Sequence, residues 1–169
     1  MTLILGIDPG SRITGYGLIK ADGQQISYID SGCIRTSDSE LSQRLLEIFS
    51  GICQLMETYK PSEVAIEQVF MHQNPSAALK LGHARGVAMV ACASHRVLVR
   101  EYSPRQVKQS VVGYGAAEKD QVKHMVMRLL MLTRPPQADA ADALAIAICH
   151  RHMHSGLLAR AASQVGSTR

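Results

Sequence analysis

Four acidic side chains stand where acids are unexpected. Asp8 ends the apolar run "LILGID", and Glu67 lies inside the short apolar run "EVAIEQ". Asp139 and Asp142 are three apart in "QADAADALAIA", a spacing that puts both on one face of a helix. A carboxylate embedded in an apolar strand costs several kcal/mol unless its charge is offset; otherwise it takes up a proton. A cation is one partner that offsets it and an arginine is another, with Arg12 nearest to Asp8 in sequence. Hard oxygen donors without clustered His or Cys suit Mg²⁺ or Mn²⁺. Four acids are too few for a closed calcium cage, yet enough for two ions with open positions. Two such ions about 3.5–4 Å apart activate a water and stabilise the leaving oxygen of a phosphodiester. Taken singly, each acid also has a plainer role. Asp8 could accept hydrogen bonds in the Pro9-Gly10 turn, and Glu67 could pair with a lysine. Asp139 and Asp142 could cap a helix and favour its dipole.

The elements that must position these acids follow from periodicity. Residues 3–8 read as a buried strand stopped by a Pro-Gly turn. Residues 13–20 and 25–35 give two more strands around the hairpin signal Asp22-Gly23. Leu41, Leu45, Ile48, Phe49, Ile52, Met56 and Tyr59 then recur at helical spacing, up to Pro61. A fourth strand spans 63–68, and a helix rich in Ala and Gly spans 76–94. A fifth strand is expected over 96–101. Ser103-Pro104 starts the next helix, with a capping residue and a proline in its first turn. Helices over 118–132 and 139–153 complete the chain before a polar tail, "ARAASQVGSTR", that reads as frayed. Strands joined by helices favour parallel pairing with right-handed crossovers. The expected fold is α/β: a mixed five-stranded sheet, three antiparallel strands then parallel ones, with helices on both faces. Parallel neighbours would set Asp8 and Glu67 at one edge of that sheet, where open α/β sheets bind ligands.

Composition narrows the function. The chain has 169 residues, 46% hydrophobic and 19% charged, which suits one domain with a real core. The reading places a single domain over 1–156 and the tail over 157–169. No long uncharged apolar run and no export signal are seen, so a cytoplasmic protein without membrane spans is expected. The four cysteines are dispersed and form no CxxC pair, which reads as reduced core residues rather than a zinc site. His150 and His154 share a helical face and read as surface histidines near a helix C-terminus rather than a metal pair. The net charge is +4, with Lys80, His83 and Arg85 in one basic region and Arg100, Arg105, Lys108, Lys119, Lys123 and Arg128 in another. Basic groups that bind phosphate, beside acids that hold metal, point to nuclease chemistry.

Five stretches carry a resemblance in the same order along the chain: "GIDPGSRITGYG", "AIEQVF", "AALKLGHARG", "RQVKQSVVGYGAAEK" and "PQADAADALAIA". Together they resemble the RuvC family of Holliday junction resolvases over about residues 3–150. The resemblance implies a ribonuclease-H-like fold and a homodimeric, Mg²⁺-dependent endonuclease that cuts four-way DNA junctions at two symmetric positions. It places the family's catalytic, metal-binding acids on Asp8, Glu67, Asp139 and Asp142. The basic residues near the scissile phosphate fall on Lys108 and Lys119, and the aromatic that enters the junction centre falls on Phe70. Met71, Lys80, Arg85 and Arg105 are further candidate DNA contacts. Ends that a ligase can seal, a T-rich preferred site and loading by the RuvA–RuvB branch-migration complex are implied by the resemblance alone. Where family members often carry a basic residue after Phe70-Met71, this chain has His72, Gln73, Asn74 and Pro75.

Two other classes share single features. "GIDPGS" also resembles the first phosphate loop of actin-like kinases, but that fold needs two such domains. A junction-binding protein without activity would tolerate loss of the acids, and this chain keeps all four.

Overall fold

Side chains of the apolar strand β1 (Thr2–Asp8) alternate between the two faces of the sheet, with Leu5 and Ile7 facing one way and Ile4 and Gly6 the other. In the computed structural model, which describes residues 1–69 and 75–166 and side chains only as far as residue 154, β1 is the centre of the sheet. The strand order is β3-β2-β1-β4-β5, with β2 at Ile13–Asp22, β3 at Gln25–Arg35, β4 at Glu63–Glu67 and β5 at Val99–Tyr102. The first three strands pair antiparallel, while β1–β4 and β4–β5 pair parallel, as expected.

Helices α1 (Leu41–Tyr59) and α2 (Pro75–Ser94) cover one face, burying Ile48, Ile52, Met56, Ala84 and Ala88 against Leu5, Ile7, Val64 and Ile66. Helices α3 (Pro104–Val112), α4 (Lys119–Leu129) and α5 (Ala138–Gly166) cover the other, burying Val107, Val122, Val126, Leu144 and Ile148 against Ile4, Ile19 and Ala65. Asp8 is in phase with Ile4, and Glu67 with Ala65. Both acids therefore belong to the α5 face.

Helix α5 rests almost directly on β1 and β2. A Cβ at Gly6 would run into the carbonyl of Ala143, and one at Gly15 into the carbonyl of Asp139. Glycine is required here by proximity. Gly15→Ala is expected to lower stability by about 3 kcal/mol, since the helix must lift or tilt to admit one methyl. Urea unfolding at pH 7 measures it. The Pro9-Gly10 turn is tied by buried Thr14, whose Oγ1 donates to the Gly10 carbonyl at 2.9 Å.

The structure corrects several expectations. Strand β5 begins at Val99 rather than 96, because Arg96 takes a left-handed φ of 60° and turns the chain. The helix expected to reach 132 ends at Leu129, just before Met131 at φ 52°. Helix α5 continues to Gly166, past the expected end at 153 and along most of the stretch read as frayed tail. His150 is 2% exposed, not a surface residue, because α5 is packed against the sheet at that point. Arg12 pairs with exposed Asp38 and does not neutralise Asp8. All four cysteines are free thiols, but only Cys92 and Cys149 are core residues, while Cys33 and Cys53 are partly exposed.

Candidate active site

Parallel register brings the first two acids together. Ile7 lies opposite Ile66 across β1–β4, so Asp8 and Glu67 are the next residues along the same edge. Asp8 also lies opposite Gly15, whose missing side chain lets the start of α5 descend onto that edge. Asp139 and Asp142 arrive in the first turns of α5.

The lysines are brought in by helix starts. Ser103 caps α3 with Gln106 in a reciprocal capping box, Pro104 follows, and Lys108 lies one turn on. Gly113, at φ 99°, ends α3. The Glu118 amide donates to the Gln121 side chain at 2.9 Å and starts α4, with Lys119 as its first residue. The Lys119 Nζ donates to Asp142 Oδ2 at 3.1 Å. Asp8, Glu67, Asp142, Lys108 and Lys119 line one cleft of about 210 Å³, with apolar walls from Pro104, Val107, Val122 and Ala145.

This setting strains the ionised acids. Burial, then the neighbouring charges of Glu67, Asp142 and Asp139, push the Asp8 carboxyl up to about 8. Lys119 opposes that rise but does not cancel it. Burial and Asp142 also raise Glu67, against Lys119 and Lys108. The hydrogen bond to Asp142 raises Lys119. The cleft thus holds more negative charge than its own cations offset. Such a site favours either protons or a hard multivalent cation. Among the described residues, no three His, Cys, Asp or Glu side chains already converge as a ready-made cage. The acids ring an open cleft, and Lys119 holds one of them, so the donor set fits a cation that keeps water or substrate in its coordination shell.

Asp139 is the outlying acid. It does not line the cleft, and it is near enough to Cys33 on β3 to raise that thiol, after burial. The other candidates are more dispersed. Arg105 is exposed on α3, with its side-chain stem over Gly115. Lys80 is exposed on α2, while Arg85 is half-buried and ion-paired with Glu101 on β5. Phe70 and Met71 lie outside the described residues. Sequence reasoning missed the cleft's apolar walls. Their signal was available: Val107 and Lys108 are adjacent on α3, and Val122 is one turn beyond Lys119.

Comparison with known proteins gives the family and the fold. The family model for crossover junction endodeoxyribonuclease RuvC matches residues 4–150. The chain is 74% identical over 158 residues to a crossover junction endodeoxyribonuclease RuvC of Legionella pneumophila strain Lens, covering 93% of this chain and 91% of that one. It is 57% identical to the one from Marinobacter nauticus, covering 100% of this chain and 98% of that one. Among solved structures, Thermus thermophilus RuvC in complex with a Holliday junction substrate superimposes with a TM-score of 0.86 at 32% identity, covering 91% of this chain and 95% of that one. The yeast mitochondrial Holliday junction resolvase, at 14% identity and a TM-score of 0.60 over 88% of this chain and 78% of that one, shares the fold. By family match, by close relatives along nearly its whole length and by a ribonuclease-H-like fold, the chain belongs to the RuvC family and is an endodeoxyribonuclease.

Proposed function

We propose that this endonuclease resolves four-way DNA junctions by metal-dependent hydrolysis, making paired symmetric nicks in recombination and repair. The observation that carries the reading is the unbalanced acid cleft, in which, among the described residues, Asp8, Glu67 and Asp142 face only Lys108 and Lys119. Asp8, Glu67, Asp139 and Asp142 would hold Mg²⁺, with Mn²⁺ as a substitute and two ions per site. A metal bound there supplies Lewis acidity for the attacking water and the leaving oxygen. Lys119 and Lys108 face the same cleft and stabilise charge that develops on the phosphate. The apolar walls exclude bulk water, which strengthens each of these contacts. Hydrolysis leaves ends that a ligase can seal.

Further contacts belong to the same reading. Lys80, Arg85 and Arg105 would bind backbone phosphate, Phe70 would reach the junction centre, and Met71 would contact DNA beside it. A homodimer matches the two-fold symmetry of paired nicks. Helix α2 supports one, because Leu79 and Val90 are exposed beside Gly82 and Gly86, where an added Cβ would meet open space. Residues 1–156 act as one nuclease domain, in the cytoplasm, loaded by a RuvA–RuvB complex. No described helix is long and apolar enough to cross a membrane.

The test is direct. Purified protein with Mg²⁺ and a synthetic four-way junction is expected to give nicks in two strands of like polarity at symmetric positions. A linear duplex of the same sequence is expected to be cut far more slowly. Equal cutting of both substrates removes the junction selectivity, and cleavage in excess chelator removes the metal.

A further inference from the structure

A buried polar chain joins α5 to the two strands around Glu67. His150, 2% exposed, is bonded through Nε2 to Glu63 Oε2 at 2.7 Å and through Nδ1 to the Tyr102 hydroxyl at 2.8 Å. The Tyr102 carbonyl in turn accepts from the Gln68 amide at 2.8 Å. Glu63 lies four residues before Glu67, Tyr102 lies opposite it, and Gln68 follows it. One side chain of α5 thus anchors both flanks of a catalytic acid.

The hydrogen bonding selects a single protonation state. The Tyr102 O–H donates to Nδ1 and the Nε2–H donates to the Glu63 carboxylate, so a neutral imidazole is fully satisfied. A second proton would leave the tyrosine hydroxyl hydrogen without that acceptor. Burial, with His154 on α5 and Arg100 on β5 facing the ring, lowers the pKa of His150, while Glu63 opposes the change.

Two spacings give this chain its purpose. Four residues of strand β4, from Glu63 to Glu67, span about 13 Å. Eight residues of helix α5, from Asp142 to His150, span about 12 Å in the opposite direction. Where Glu63 meets His150, Asp142 must therefore lie level with Glu67. Near the acids α5 rests on Gly6 through Ala143 and Ala147 and on the neighbouring Gly17 through Leu144, and the bonds of His150 add directional polar fixation to that packing.

We propose that Glu63, His150 and Tyr102 are positioning residues that set the axial register of α5 on β4, and through it the Glu67–Asp142 separation on which metal capture depends. This rests on the reading of the acids as metal ligands. The experiment is Mn²⁺ titration of the full chain without DNA, followed by the electron paramagnetic resonance signal of free Mn²⁺. Melting temperature and metal-free junction binding are recorded alongside. Glu63→Ala is expected to weaken Mn²⁺ binding about tenfold, as losses of groups supporting metal ligands do, with junction binding unchanged. Glu63→Gln still accepts from Nε2–H and is expected to restore Mn²⁺ binding to about twofold of the parent. Tyr102→Phe keeps the ring packing and is expected to weaken Mn²⁺ binding in the same direction; it carries the test if Glu63→Ala does not fold. A lower melting temperature with unchanged Mn²⁺ affinity overturns the proposal, as does equal loss in the Ala and Gln variants. If Asp8→Asn binds Mn²⁺ as tightly as the parent, the acids are not the metal site, and both the reading and the proposal fall.

Discussion

Asp8→Asn is expected to abolish strand cleavage while leaving the fold and junction binding in place. Asparagine keeps the shape of the side chain and removes its charge. Asp8 is the most strained acid of the cleft, pushed up to about 8 by burial and by Glu67, Asp142 and Asp139. Its removal relieves repulsion, so the metal-free variant should melt at or above the parent temperature. On the proposed reading, the same change deletes a metal ligand from a site with few to spare. A rate loss of about a thousandfold or more corresponds to about 4 kcal/mol of barrier. Gel-shift binding in chelator and single-turnover cleavage in Mg²⁺ separate the two effects. Near-normal cleavage by Asp8→Asn would remove this residue from the chemistry.

The second large effect is a stability that falls as pH rises in metal-free protein. The Asp8 carboxyl ordinarily titrates at 3.8, the value it regains on unfolding, but near 8 in the folded chain. Between these values the folded state binds one more proton than the unfolded state. Stability must therefore decline with pH across that window, by up to about 1.4 kcal/mol per pH unit, and level off above about pH 8. Glu67, also raised, adds to the decline in its own range. Divalent metal competes with the proton, so Mg²⁺ should restore stability most at the alkaline end. At subsaturating Mg²⁺, cleavage should rise about tenfold per pH unit up to about pH 8 and then level off, as one proton is displaced. Melting curves from pH 5 to 9 with chelator, repeated on Asp8→Asn, measure the first effect. A parent and variant with the same pH dependence would contradict it.

Much of this protein is legible without coordinates because its elements are set by local periodicity. The apolar run of β1 with its Pro-Gly stop, the helical stripe of α1 and the Ser103-Pro104 start of α3 each arise within a few residues. The same local patterns put Asp8 at a strand end and set Asp139 and Asp142 on one helical face. The candidate site was legible wherever acids interrupted such patterns. His150 was misread for the converse reason: "CHRHMH" is locally polar, and its burial depends on a sheet formed elsewhere in the chain.

The sequence alone therefore determined the order of the elements and the mixed sheet, and it singled out four acids as candidates for the site. Tertiary structure decided which acids share a cleft, that Lys119 rather than Arg12 faces them, and that Glu63 meets His150. It also decided that Gly6 and Gly15 let α5 approach the sheet closely. The physical reason is that periodicity belongs to one segment, whereas charge pairing and close approach belong to two. Glu63 and His150 are 87 positions apart, and only strand register with helix packing brings them within 2.7 Å.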